Sequence, residues 1–216
     1  MANMRRWLPA ACALLALGSA ACGGSTKSSA PSSPSASQSP AGASQLRGLL
    51  PSPPPAKPEF ALTDTSGRAW DMSRMTVGKL TYLYFGYTHC PDACPATMAD
   101  IAVALRRQPA AVQSRVVVVF VTTDPRRDTA VRLRTWLNKF DASFVGLTGT
   151  PTQIAAAEAA AGVPLAKPEG AQTGNYAVAH SAQVFAYSPD GYAHVMYLQG
   201  NTAADYTNDL PLLLRA

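Results

Sequence analysis

Two kinds of hydrophobic spacing alternate along residues 59–216. Residues 80–85 form a continuous apolar run, and 115–122 a β-branched one; both have the length and composition of strands buried on two faces. After the first run, Met98, Ile101, Ala102 and Leu105 recur at three and four positions, which predicts a helix over about 94–107. After the second, Val131, Leu133, Trp136, Leu137 and Phe140 predict a helix over 129–140, followed by a short strand at 144–147 and an Ala-rich helix at 151–161 ending near Gly162. Ahead of these, 59–63 and 68–72 flank Asp64-Thr-Ser-Gly67 as a hairpin. A second hairpin joins 178–187 to 192–198 through Ser188-Pro-Asp-Gly191, and a helix over 202–214 closes the chain. The segment 165–175, with Lys, Pro, Glu and two Gly, reads as a mobile loop, and no internal repeat is visible. Strand–helix–strand units with short right-handed crossovers, then a hairpin and a last helix, predict a mixed α/β sandwich.

The pattern fails before residue 59. Residues 1–21 carry Arg5 and Arg6, then an apolar stretch too short to span a bilayer, and read as a signal peptide. Ser19-Ala-Ala-Cys-Gly-Gly24 resembles a lipoprotein processing site with Cys22 as the lipidated residue; ordinary cleavage after Ser19-Ala-Ala21 is the alternative. Residues 22–58 add Ser, Ala, Pro and Gly without one aromatic side chain, and read as a disordered tether. The expected layout is therefore a signal at 1–21, an acylated Cys and tether at 22–58, and a folded domain at 59–216 held at the extracytoplasmic face of a membrane by its lipid anchor. Net charge is +5 and falls to +3 without Arg5 and Arg6; no basic run or aromatic interleaving accompanies it, so no nucleic-acid site is expected.

The chemistry concentrates in Tyr84-Phe-Gly-Tyr-Thr-His-Cys-Pro-Asp-Ala-Cys-Pro-Ala-Thr-Met98, where strand, turn, thiol pair and helix start coincide. Cys12 leaves with the signal and Cys22 is acylated, so the domain keeps only Cys90 and Cys94. Spaced i, i+4, both are expected on one face at the head of the helix, where the dipole favours thiolate. Cys-x-x-x-Cys permits a disulfide but also suits two ligands on one soft metal ion, and a structural bridge would close a very small loop. A third ligand has three His to come from. His89 adjoins Cys90 and is expected to point away; His194 lies in an alternating strand; His180 sits just before or at the start of a strand.

Phe-Gly-Tyr-Thr-His-Cys-Pro-Asp-Ala-Cys-Pro resembles the signature of the Sco/SenC family of copper chaperones for cytochrome c oxidase assembly. Thr123-Asp-Pro-Arg-Arg-Asp-Thr129 and the His180-Ser181 pair before a strand add to the likeness, which covers about 58–215. The resemblance implies a thioredoxin-like three-layer α/β sandwich with an added N-terminal β-hairpin, in which His180 faces Cys90 and Cys94. It implies copper, as Cu(I) or Cu(II), on Cys90, Cys94 and His180. It also implies delivery to the copper site of cytochrome c oxidase subunit II, with a thiol reductase or another copper chaperone as further partner. Many members carry Asp before this His, where this chain has Ala179, so the group that orients the imidazole stays open.

The second reading is an extracytoplasmic thiol–disulfide oxidoreductase or thiol peroxidase using Cys90 and Cys94 as a redox pair. Against it, generic reductases carry Cys-x-x-Cys and a facing Pro, and Ala177-Val-Ala-His180 has none. A third is a tethered interaction module with an incidental disulfide. For Asp124, Arg127 and Asp128 a loop-stabilising network competes with a direct role, Asp92 reads as a dipole-matching residue, and Tyr84, Tyr87, Met98 and Phe120 read as core.

Overall fold

The computed structural model describes residues 45–216. The signal, Cys22 and the tether up to residue 44 lie outside them. Among the described residues no helix is long and apolar enough to cross a membrane.

Seven strands form one sheet. They are β1 (Ala61–Asp64), β2 (Ala69–Asp71), β3 (Leu80–Gly86), β4 (Val116–Thr122), β5 (Val145–Thr148), β8 (Val184–Tyr187) and β9 (Ala193–Tyr197), ordered β2-β1-β5-β4-β3-β8-β9. A two-stranded ribbon, β6 (Lys167–Pro168) with β7 (Val178–Ala179), stands apart. The two continuous apolar runs pair parallel at the centre, from Leu80↔Val116 to Gly86↔Thr122, and every residue of β3 is buried. The N-terminal hairpin extends the sheet by pairing β1 antiparallel to β5, as the added hairpin should.

Helices cover both faces. α2 (Ala93–Arg106), α4 (Ala130–Leu137) and α6 (Ala203–Leu213) supply Met98, Ile101, Leu133, Leu137, Tyr206 and Leu210 to one buried cluster with Tyr82, Tyr84 and Phe120. α5 (Pro151–Ala160) packs Ile154 and Ala157 on the other face with Leu83, Phe85, Val119 and Val121. From Tyr82 to Phe85 successive β3 side chains alternate between these clusters, which is why the run is apolar apart from the buried Thr81. Short helices α1 (Met72–Met75) and α3 (Ala110–Gln113) are single turns that periodicity did not signal.

Three expectations need correction. The strand expected over 178–187 is interrupted: 180–183 pair with nothing as strand, so His180 lies on an irregular segment between β7 and β8. The expected mobile loop at 165–175 carries β6, which is pinned to β7 through Lys167↔Ala179 and Pro168↔Val178. The tether also ends earlier than residue 58. Leu49 exchanges two 2.8 Å backbone bonds with Met196, Pro55 accepts from Ala193, and the N–H groups of Arg47 and Gly48 bind the buried Asp209 carboxylate. The physical reason is the open edge of β9, whose unpaired backbone groups this proline-rich strap satisfies without needing an apolar face of its own.

Candidate metal centre

Strand β3 delivers the chain to the site, and Gly86 is where it can turn. A Cβ there would lie 2.6 Å from Tyr84 Cε1 and 2.9 Å from Cys94 Sγ, so only glycine lets the sulfur sit against the strand end. The turn that follows is tied down by Asp128, fully buried just before α4. Its carboxylate accepts from Thr88 N at 2.9 Å, Thr88 Oγ1 at 2.5 Å and Thr122 Oγ1 at 2.7 Å. The Asp-Pro-x-Arg-Asp-Thr segment thus braces the turn that presents Cys90.

Only Cys94 belongs to the helix. α2 begins at Ala93, and Cys90 precedes it, contrary to the expectation of two cysteines on one helical face. Pro91 and Pro95 limit how the opening turn can bond backwards. Asp92 occupies the N-cap without a side-chain capping bond, and the Cys90 sulfur takes that place, accepting the Cys94 N–H at 3.4 Å.

The two sulfurs consequently differ. Donation from the Cys94 thiol, opposed by partial burial and helped by the N–H groups of Cys94 and Asp92, brings the Cys90 pKa down to about 4. Burial, then the bond to Cys90, pushes Cys94 up. The expectation that the dipole makes both thiolate therefore holds for Cys90 alone: one proton is shared, and it stays on the buried sulfur. Tyr84 reaches the same sulfur from beneath, its Oη 3.5 Å from Cys94 Sγ. A depressed pKa means that Cys90 is thiolate over the whole neutral range. Its alkylation by iodoacetamide is expected to be flat between pH 6 and 8, where an ordinary thiol gains about tenfold per pH unit below its pKa. A rate that climbs tenfold per unit through pH 8 would contradict the arrangement.

His180 comes 86 positions after Cys94, from the segment that leads into β8, the strand paired beside β3. Its Nε2 is 3.6 Å from Cys94 Sγ. Its Nδ1 lies 2.9 Å from the Ser181 carbonyl oxygen, which can only accept, so Nδ1 carries the proton and Nε2 presents a lone pair to the sulfurs. That carbonyl does the orienting job for which Ala179, exposed and apolar, has no group. Tyr87 and Tyr84 meet the imidazole edge-on at 5.5 and 6.1 Å between ring centres. One donor atom from each of Cys90, Cys94 and His180 lies within 4.8 Å of the others, the one such group of potential ligands among the described residues.

The remaining sequence candidates fall elsewhere. His89 points toward Asp128, at 3.6 Å, and Arg132, at 3.4 Å, and so away from the sulfurs. His194 pairs with Asp190 at 2.7 Å on the second hairpin. Asp124 pairs with Arg127, and neither is among the clustered donors. Tyr84, Tyr87, Met98 and Phe120 are core as expected, though Tyr84 also touches the site. Sequence reading passed over Tyr176, whose hydroxyl donates to Asp124 at 2.8 Å; an aromatic residue in a polar, glycine-rich loop was the available signal.

Residues 50–215 match the SCO1/SenC family model. The chain belongs to the SCO1/SenC family. Among solved structures, copper-bound ScoI of Bradyrhizobium japonicum is 32% identical and superposes with a TM-score of 0.66, covering 74% of this chain and 100% of that one. The thioredoxin-like fold expected from the resemblance is the fold of these Sco structures. A suspected copper-binding protein of Stutzerimonas stutzeri is 34% identical over 136 residues, 63% of this chain and 66% of that protein. The mitochondrial SCO2 homologue of Bos taurus is 31% identical over 153 residues, 70% of this chain and 57% of that protein. The Sco chain here thus spans less than two thirds of the length of either curated relative.

Proposed function

We propose that this Sco protein is a copper metallochaperone that binds one copper ion through Cys90 Sγ, Cys94 Sγ and His180 Nε2. It then delivers the ion by ligand exchange to the binuclear copper site of cytochrome c oxidase subunit II. The observation that carries the reading is the convergence of two sulfurs and an imidazole lone pair within 4.8 Å. The donor set fits the cargo. Ligands about 2.0–2.3 Å from a three-coordinate ion stand roughly 3.7 Å apart, close to the spacing of Cys94 Sγ and His180 Nε2 at 3.6 Å. Thiolate and imidazole donors suit soft Cu(I), and only two sulfurs leave a structural zinc site short of ligands. Cys90 is ready as thiolate, and Cys94 gives up its proton when the ion arrives. A copper-bound structure of a 32%-identical ScoI supports the cargo, and the family resemblance supports the recipient.

The half-buried position of Cys90 keeps the ion within reach of a partner's ligands, as ligand exchange requires. A lipid anchor at Cys22 and export to the extracytoplasmic face complete the reading: the tether keeps the domain near a membrane-bound recipient. A strain lacking this gene is expected to assemble copper-deficient oxidase at low external copper, restored by the intact gene and not by Cys90→Ser. Full oxidase copper in the deletion strain would contradict the function.

A low-pKa, partly exposed Cys90 backed by the buried Cys94 thiol also favours disulfide exchange. Cys90 would attack a target disulfide, Cys94 would displace the mixed disulfide, and the target would leave with two electrons while this pair oxidises. Reduction of the recipient's own cysteines is the form of this activity compatible with the metal site.

A further inference from the structure

His180 sits on a segment with little regular structure of its own, and its position depends on what holds that segment. Toward its C-terminal side the chain enters β8; toward its N-terminal side only the short ribbon β6–β7 and a few side chains fix it. Tyr176 lies at the start of this stretch. Its hydroxyl donates to Asp124 Oδ1 at 2.8 Å, and its ring lies under the Arg127 guanidinium, 3.5 Å from ring centre to Cζ. Arg127 also binds Asp124 through Nε, while its two terminal nitrogens are buried without a hydrogen-bond partner. What they face is aromatic: Tyr176 on one side and Tyr87, at 5.7 Å, on the other. Tyr87 in turn accepts from Val178 N at 3.3 Å and packs edge-on against His180 at 5.5 Å.

We propose that Tyr176 is a positioning residue for His180. It latches the His180 segment to the Asp124–Arg127 loop, which itself leads to Asp128 and the bracing of the Cys90 turn. One loop therefore fixes both halves of the site, the Cys90 turn through Asp128 and the imidazole through Tyr176. The hydroxyl supplies direction and the ring supplies contact, so the two are separable: Tyr176→Phe removes the Asp124 bond and keeps the stack, whereas Tyr176→Ala removes both. The proposal rests on His180 being a copper ligand only for its consequence, since the latch exists in the metal-free protein.

The test uses the full chain and two readouts. In metal-free protein, amide exchange at Val178 and Ala179 is expected to rise at least tenfold in Tyr176→Ala, less in Tyr176→Phe, with exchange in β3 and β4 unchanged. Cu(I) affinity, read by competition with a chromophoric chelator, is expected to fall roughly 10- to 100-fold in Tyr176→Ala, the range for residues that orient metal ligands. In a His180→Ala background the same substitution should cost less than twofold, because a residue acting through His180 has nothing left to position. Unchanged amide exchange overturns the latch whatever copper does. An undiminished further loss in the His180→Ala background also overturns it. Failure of the copper reading shows elsewhere, as an absence of copper uptake by the unaltered chain.

Discussion

Asp128→Ala is expected to cost about 4 kcal/mol of stability and to loosen the Cys90 turn. The carboxylate is fully buried and holds three donors, Thr88 N, Thr88 Oγ1 and Thr122 Oγ1. Removing it leaves these groups without water to replace the lost partner. Each orphaned donor costs about 1–3 kcal/mol, and bonds to an ionised acceptor lie at the upper end. Relaxation of the threonine hydroxyls offsets part of that sum, which is why the expected total is near 4 rather than 9. Asp128→Asn keeps an acceptor but sets an amide against at least one of the donors, so its loss should be smaller yet clear. Urea unfolding of the reduced protein measures both. The local effect follows from the fold: Thr88 precedes the His89–Cys90 step, so an unbraced turn no longer holds the Cys90 sulfur against the α2 N-terminus, and the thiolate loses the Cys94 N–H. Iodoacetamide reactivity at pH 6 should then drop in Asp128→Ala. A stability loss below about 1 kcal/mol with unchanged Cys90 reactivity would show that the Asp-Pro-x-Arg-Asp-Thr segment does not brace the site.

Gly86→Ala carries the second large effect, although it adds one methyl group. That carbon would meet Tyr84 Cε1 at 2.6 Å, Cys94 Sγ at 2.9 Å and Phe120 Cε2 at 3.1 Å. Two of these neighbours are rings locked in the central strands, and Gly86 O is held by Thr123 N at 2.7 Å, so neither side yields easily. Overpacking of this kind costs about 3 kcal/mol, or roughly 6–12 °C in Tm for a chain of this size. The sulfur is the part most able to move. Copper affinity should therefore fall with stability, whereas a substitution in the cluster on the other face of the sheet, such as Leu62→Ala on β1, should lower Tm and leave copper affinity of the folded protein intact. A variant with wild-type Tm would contradict the close packing at the end of β3.

Much of this was legible in the residues. The 80–85 and 115–122 runs announced the central parallel pair because strands buried on both faces are apolar almost throughout, with Thr81 and Thr122 as their buried polar positions. The Cys90–Cys94 pair stood out by its spacing as the domain's two thiols, whereas His180 was singled out from the three histidines by the resemblance to the Sco/SenC family. What the sequence hid is three-dimensional bookkeeping of hydrogen bonds. Local spacing puts Cys90 and Cys94 on one helical face, but starting α2 at Ala93 leaves Cys90 outside it as a cap, and that single shift separates a thiolate from a thiol. The strap at 45–58 looks like a linker by composition because its ordering comes from the open edge of β9 and from Asp209, both more than a hundred residues away. The role of Tyr176 was hidden for the same reason, although an aromatic residue in a polar loop marked the position: its partners, Asp124 and Arg127, are about fifty positions earlier.

Whether Cys90, Cys94 and His180 together hold one copper ion is decided by the copper stoichiometry of the reduced full chain, measured beside Cys90→Ser, Cys94→Ser and His180→Ala. One tightly held Cu(I) is expected in the unaltered protein, lost in either Cys variant and weakened in His180→Ala. A reduced chain that takes up no copper while its cysteine pair still cycles with a thiol reductant would contradict it, and would leave the site as a thiol–disulfide centre.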